Sequence, residues 1–319
     1  MINKRQFLAG AAAVTVLPAL STRLSAQEAP KEIRIGFQKS GVLLIAKAQE
    51  VLEKRFANIG ASVKWVEFTF GPPLLEALNT GNIDYGAVGD SPPVFAQAAR
   101  ANLLYVAALP GRGDTQAIVV AKDSSIRSLE ELKGKKVAIA KASSAHNLTI
   151  AALESVGLKF TDIQAQYLPP ADAAAAFLRG SVDAWTIWDP FYALAELKQG
   201  ARPLPIRPEV ASQNPFFLAN REFTNKHPGI VSAINDELNR ATIWARSNRE
   251  QAAELFSQAS GVELAAQQRT VQRTEFVFSP ITEEIATQQQ AVADRFHKLG
   301  LIPKAINIRD IVWVWKPSA

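Results

Sequence analysis

Five consecutive residues, Ala184-Trp185-Thr186-Ile187-Trp188, form an apolar, partly β-branched run that stops abruptly at Asp189-Pro190, and Ala193, Leu194 and Leu197 then take up helical spacing. A short run of this composition reads as a buried strand, and the pattern after it as one face of a helix. Asp is a good N-cap and Pro suits the first helical position, so strand, cap and helix meet within three residues. When such a junction recurs along a chain, parallel strands are laid side by side with helices on their faces. Alternation along this strand is read as turning Trp185 and Trp188 to one face, with Trp188 the exposed one.

The junction does recur. Residues 33–37 alternate like a strand and end at Gln38-Lys39-Ser40-Gly41, with a helix expected over 42–56. Strand 63–68 leads to Gly71-Pro72-Pro73, after which Leu74, Leu75 and Leu78 share a helix face. Residues 84–88 end at Gly89-Asp90-Ser91-Pro92-Pro93, again with proline at a helix start, and a fourth strand follows over 104–109. Pro110-Gly111-Arg112-Gly113-Asp114 breaks the pattern, and strand 117–121 crosses into a second unit. There the expected elements are a short helix at 128–132, strand 137–140 running into a helix that ends near 156, strand 165–168, helix 172–179 and strand 184–188. Residues 216–219 return the chain to the first unit, and helices are expected over 229–247, 249–258, 262–273 and 282–299. The fold class is α/β: two lobes, each a small, mainly parallel sheet, with a hinge and a helical C-terminal part. Lobe I takes residues 27–116 and 220–319, and lobe II residues 117–219.

Composition bounds what such a fold can do. The 319 residues are 48% hydrophobic and 20% charged, enough for two packed units, and no run fits a membrane span. Lys4 and Arg5 precede a mostly apolar stretch over 7–20 and the small residues Ser25-Ala26, the pattern of an export signal cleaved after Ala26. Residues 3–8 are also similar to a twin-arginine signal with Lys4 replacing the first arginine. Removing residues 1–26 takes away Lys4, Arg5 and Arg23 and no acid, so the formal charge of +5 falls to +2 and no nucleic-acid partner is implied. An exported chain without cysteine has neither disulfides nor the lipid-bearing Cys of a tethered lipoprotein. The expectation is a free, monomeric periplasmic protein.

Two α/β lobes joined by two crossings leave a cleft where the strand ends of both sheets face one ligand. The segments 38–41, 89–93, 142–146 and 188–190 meet there, and they offer Gln, Ser and Gly at helix starts. Helix N-termini present free N–H groups and a partial positive charge, so they hold oxyanions without Arg or Lys. The candidate ligand residues are Gln38, Ser40, Gly89, Asp90, Ser91, Ala142, Ser143, Ser144, His146, Trp188 and Asp189.

The ordered motifs Gly71-Pro72-Pro73-Leu74-Leu75-Glu76-Ala77-Leu78, Gly89-Asp90-Ser91-Pro92-Pro93, the segments 129–136 and 168–172, and Gly180-Ser181-Val182-Asp183-Ala184-Trp185 through Pro190 resemble the aliphatic-sulfonate-binding proteins of ABC importers. The resemblance implies a type II periplasmic-binding-protein fold that closes on an alkanesulfonate and delivers it to a membrane permease and ATPase for sulfur supply. It departs at Ser40, where many relatives carry Gly, at Asp90, where they carry Glu, and at Ala142-Ser143-Ser144, where they carry Gly-Ser-Asn. The implied sulfonate lies near Ser40, Ser91, Ser143, Ser144 and His146, with its tail toward Trp188. His146 is expected as a neutral donor because a positive helix end disfavours the imidazolium. Asp90 and Asp189 read as caps, or as partners for the amino group of a ligand such as taurine. Sulfate esters, nitrate and bicarbonate are the other candidate ligands. A thiamine-pyrimidine-synthase-like enzyme shares the fold but relies on histidine and a cysteine-rich segment. With no Cys and only His146, His227 and His297, no catalytic residue, metal or cofactor is expected here.

Overall fold

A computed structural model describes residues 29–317; the expected signal peptide at 1–26 lies outside the described residues. Strand β1 (Glu32–Phe37) leads to helices α1 (Val42–Ala48) and α2 (Val51–Phe56), β2 (Ser62–Glu67) to α3 (Gly71–Asn79), and β3 (Tyr85–Val88) to α4 (Ser91–Ala98) and then β4 (Leu103–Ala108). The chain crosses to β5 (Gln116–Val120) and continues through β6 (Lys136–Ile139), α5 (Ser144–Ser155), β7 (Gln164–Tyr167), α6 (Pro170–Leu178), β8 (Ala184–Trp188), α7 (Phe191–Gln199) and β9 (Arg202–Pro203). It returns by α8 (Pro208–Ala211) to β10 (Phe216–Asn220), and α9 (Arg221–Lys226), α10 (Pro228–Ser247), α11 (Arg249–Ser260), α12 (Leu264–Arg273) and α13 (Glu283–Lys298) follow.

The strands form two sheets of five, ordered β2-β1-β3-β10-β4 and β7-β6-β8-β5-β9. Strand β1 is parallel to β2 and β3, and β6 to β7 and β8. The strands that have just crossed run the other way: β10 is antiparallel to β3 and β4, and β5 to β8 and β9. Both sheets thus repeat one plan, in which the incoming strand is inserted next to the edge. The helix expected over 42–56 is broken in two because Glu50 takes a left-handed φ of 54°, which a continuous right-handed ladder cannot contain. The short helix expected at 128–132 is a single turn over Glu130–Leu132.

Burial follows the two-residue period of a strand. In the second sheet Ile118, Val120, Val137, Ile139 and Ala184 pack with Ala145, Ala152 and Leu153 of α5. Ala117, Val119, Ala138, Trp185 and Ile187 pack with Phe177 of α6 and Tyr192 of α7 on the other face. The expectation that Trp185 and Trp188 share a face is thereby corrected, since an odd spacing turns side chains to opposite sides of a sheet. Trp185 is core, its ring centroid 5.9 Å from that of Phe177. Trp188, at the strand end, is partly exposed. The first sheet is covered by the C-terminal helices, and the fully buried Asn235 of α10 ties them to it, accepting from the Tyr85 hydroxyl at 2.6 Å and donating to the Val106 carbonyl at 3.0 Å.

The two crossings are bonded to each other. Gly111 N donates to Gln213 O at 3.2 Å, Gln213 N to Gly111 O at 3.3 Å, and Leu109 N to Pro215 O at 2.9 Å. Gly113 has φ +85°, and a Cβ there would lie 1.7 Å from the Ala211 carbonyl oxygen. Gly113→Ala should therefore destabilise the protein by more than the roughly 1–2 kcal/mol that a left-handed backbone alone costs an L residue. Denaturant unfolding checks this, and an unchanged midpoint would show that the crossings tolerate displacement.

Candidate functional site

The C-terminal ends of β1, β3 and β8 and the start of α5 surround a cavity of about 170 Å³ between the two sheets. Seven of the eleven residues singled out from the sequence line it: Gln38, Ser40, Gly89, Ser143, Ser144, Trp188 and Asp189. Asp90, Ser91, Ala142 and His146 do not belong to the lining.

The local sequence explains which helix starts serve the cavity. Before α1 stands Gly41, with φ +94° and no side chain to cap the helix, so the first-turn N–H groups of Val42 and Leu43, both lining residues, have no partner within their own helix. Ser143 occupies the cap position of α5, yet its hydroxyl donates to the Ala140 carbonyl at 2.6 Å; its own carbonyl accepts from His146 N at 2.9 Å, and the N–H groups of Ser144 and Ala145 are left uncapped. Helix α4 differs. Pro92 and Pro93 remove two of its first donors, and Ser91 Oγ is turned to Asp90 Oδ1 at 2.9 Å. From this segment only Gly89 and Pro92 reach the cavity. Gly89 is pressed against α5, where a Cβ would stand 2.8 Å from Ser144 Cβ.

Neither aspartate is a simple cap. Asp90 makes no capping bond; besides Ser91 it accepts from Asn147 Nδ2 at 2.7 Å, and burial raises its pKa. Asn147 Oδ1 in turn accepts from Arg295 Nη1 of α13 at 2.9 Å. Asp189 does serve α7, accepting from Ala193 N at 3.0 Å, although Pro190 stands just ahead of that helix, joined to Asp189 by a cis peptide bond. Its carboxylate is also paired with Arg273 of α12, Nη1 to Oδ1 at 3.1 Å. Burial pushes the Asp189 pKa up to about 6 against the lowering effect of Arg273.

His146 is neutral for a reason other than the one read from the sequence. It is 1% exposed and sits among four rings, Phe160, Tyr167, Phe296 and Phe95, at centroid distances of 5.1, 5.7, 6.0 and 6.4 Å. Burial first, and the Lys141 charge second, bring its pKa down to about 4. Its Nδ1 accepts from Ala142 N at 3.4 Å, and Nε2 has no partner. The ring packs the region behind the cavity.

The remaining wall is largely apolar, with Leu43, Val88, Leu109, Pro215, Phe217 and Trp188, and no lysine, arginine or histidine is among the described lining residues. Sequence reading missed Thr115, Gln213, Thr270 and Thr274, which also line it. Thr270 lies in the last turn of α12 and Thr274 is the extended residue just past its end, so helical periodicity did not mark the pair. Their hydroxyls bond to the carbonyls of Ala266 and Thr270. The polar rim and apolar wall can hold a small anion with a short carbon tail.

Comparison with known proteins bears on the family and the fold. The NMT1-like family model matches residues 26–259. An Escherichia coli relative described as an aliphatic sulfonates-binding protein is 41% identical over 91% of both chains. The crystal structure of the periplasmic aliphatic sulphonate binding protein of Escherichia coli superposes with a TM-score of 0.82, covering 91% of this chain and 94% of that one. The alkanesulfonate-binding protein of Xanthomonas axonopodis pv. citri, solved bound to MOPS, is 39% identical with a TM-score of 0.82, covering 89% of this chain and 98% of that one. The taurine-binding periplasmic protein of Escherichia coli is more distant, 28% identical over 69% of this chain and 68% of its own.

Because the folded His146 pKa lies near 4 and an unfolded one near 6.5, the neutral ring contributes stability above about pH 6.5 that is lost as pH falls toward 4. The full loss is on the order of 3 kcal/mol. Denaturant unfolding at pH 7 and pH 4.5 should show His146→Phe losing less stability than the wild type; the Asp189 contribution, of opposite sign, is common to both and cancels. Parallel losses would place the acid sensitivity elsewhere.

Proposed function

The chain belongs to the NMT1-like family, alongside the aliphatic-sulfonate-binding proteins, and from that premise we propose that it captures alkanesulfonates in the periplasm and delivers them to the permease and ATPase of an ABC-type importer for sulfur supply. The observation that carries the reading is a cavity lined by neutral donors and apolar side chains, with no cationic residue among the described lining residues. A sulfonate stays ionised at physiological pH and offers three acceptor oxygens, so it needs several donors and no base. Ser40, the first-turn N–H groups of Val42 and Leu43, and Ser144 are assigned to the sulfonate, and Trp188 to the alkyl tail; Ser143, although it lines the cavity, spends both its hydroxyl and its N–H on the Ala140 carbonyl. Nitrate or bicarbonate would leave the wall at Trp188, Phe217 and Leu109 unused. Taurine would need an acceptor for its ammonium, and the acceptor at hand, Asp189, is engaged by Arg273.

Binding without turnover follows the same relatives, and consumption of a sulfonate by the purified protein would reverse it. Closure is assigned to the lobes read from the sequence, residues 27–116 with 220–319 against 117–219, turning about the paired crossings at Gly111 and Gln213. A cleaved signal at 1–26 and a monomeric, lipid-free receptor complete the proposal.

Calorimetry in a sulfonate-free buffer tests the ligand class. MOPS is itself a propanesulfonate and is to be avoided as buffer. Alkanesulfonates should bind, with sulfate and nitrate weaker; a preference for either inorganic anion would overturn the assignment.

The tail assignment is tested at Trp188. Each methylene taken from water contributes about 0.8 kcal/mol. Trp188→Ala should therefore weaken octanesulfonate much more than methanesulfonate, because only the longer ligand has methylenes to lose. Equal losses would mean that Trp188 serves the fold and not the tail.

A further inference from the structure

Among the described residues the single ionisable one lining the cavity is an acid, which is awkward for an anion receptor. Asp189 is 3% exposed, and an ionised carboxylate beside a sulfonate in a water-poor site repels it. The compensating charge stands just outside the lining. Arg273, the last residue of α12, donates through Nη1 to Asp189 Oδ1 at 3.1 Å and Oδ2 at 3.4 Å, and through Nη2 to Glu196 of α7. Its guanidinium lies over the Tyr192 ring, 3.9 Å from the centroid. Arg269, one helical turn earlier, donates to the same Glu196 oxygen at 3.0 Å, so Glu196 is shared between two cations and the inner face of Arg273 is left to Asp189. Both arginines come from α12, after the return to the first sheet, whereas Asp189 stands at the junction of β8 and α7, and Tyr192 and Glu196 belong to α7.

We propose that Arg273 is a positioning residue of the anion site: without touching the ligand, it supplies the positive charge that allows a sulfonate to be buried beside Asp189. The proposal rests on the reading of the cavity as a sulfonate site. The groups facing Asp189 set its expected pH behaviour. Burial raises its pKa, Arg273 lowers it, and Glu196 raises it; Tyr192, whose pKa burial raises to about 12, stays neutral throughout the working range. With Arg273 removed, Asp189 titrates higher, and its protonated form is the one compatible with an anion. Affinity in that variant must rise as pH falls.

The test is calorimetry with propanesulfonate at pH 6, 7 and 8, with circular dichroism confirming the fold of each variant. Wild-type affinity should be flat between pH 7 and 8. Arg273→Gln should bind roughly 100-fold more weakly at pH 8, as expected when one partner of a buried charge pair is removed, and should recover toward pH 6 by up to about tenfold per unit. Adding Asp189→Asn to that variant should restore most of the affinity and remove the pH dependence, since an asparagine oxygen can still accept from Ala193. A loss that is the same at every pH and persists in the double variant would overturn the proposal and leave Arg273 a structural link. Should Arg273→Gln fail to fold, Asp189→Asn alone decides: affinity kept or improved supports the proposal, and a loss beyond about tenfold overturns it. If the wild type binds no sulfonate, the ligand reading itself has failed. The charge pairing is then read without ligand from the Asp189 carboxyl carbon by NMR, where an upward shift of its titration in Arg273→Gln supports the pairing and an unchanged midpoint overturns it.

Discussion

Everything in this molecule hangs on two strands that belong to one half of the chain by sequence position and complete a sheet beside strands made far from them. Strand β10 is inserted between β3 and β4 after the whole second sheet has been traversed, and β5 opens that second sheet by pairing with β8 and β9. Neither sheet is finished without a crossing, so the crossings cannot drift apart. Their mutual hydrogen bonds at Gly111 and Gln213 pair them side by side, which keeps the two crossings together where the proposed closure would turn. The ligand space is a by-product of this arrangement, because parallel strands deliver their C-terminal ends, and the helix starts after them, to the same side.

A buried anion has to be matched by donors or by charge. The chain supplies donors where the sequence leaves helix starts uncapped, at α1 after Gly41 and at α5 after a serine whose hydroxyl is used elsewhere. It withholds them at α4, where two prolines and a buried carboxyl make the helix start unsuitable for an anion. Four similar-looking junctions therefore do different jobs. Two present N–H groups, one closes the space with Gly89 against Ser144, and one contributes an aromatic wall and an acid that needs a partner.

The strand-cap-helix order was legible because it depends on neighbours in sequence. Strand β8 spans the five residues read for it, and the four long C-terminal helices begin and end within two residues of expectation. What failed depends on residues far apart. His146 looks like a site residue from its place in a first turn, but the rings that enclose it come from positions 95, 160, 167 and 296. The Trp185 and Trp188 error was one of parity, and the alternation of the strand already contained its correction. Arg273 gave no local signal at all, since its partners lie 84 and 77 positions earlier. Periodicity reports which face of an element is buried; it does not report what that face meets.

The C-terminal helices, which the sequence reading assigned to lobe I, also reach both acids that stand at the strand ends of the cleft. Helix α12 reaches Asp189 through Arg273, and α13 reaches Asp90 through Arg295 and Asn147. Both links join elements packed on the first sheet to elements packed on the second. Such pairs do not by themselves drive the halves together, because the desolvation of a buried ion pair roughly cancels its attraction. The exposed link between Lys198 and Glu263 adds about 0–1 kcal/mol at most. The effect of the Arg273 link is on specificity of geometry: an arrangement that misplaced this arginine would leave the buried Asp189 carboxylate without its counter-charge. Since the links are near neutral in net free energy, the closure proposed above would draw its driving force from the molecule held between the sheets.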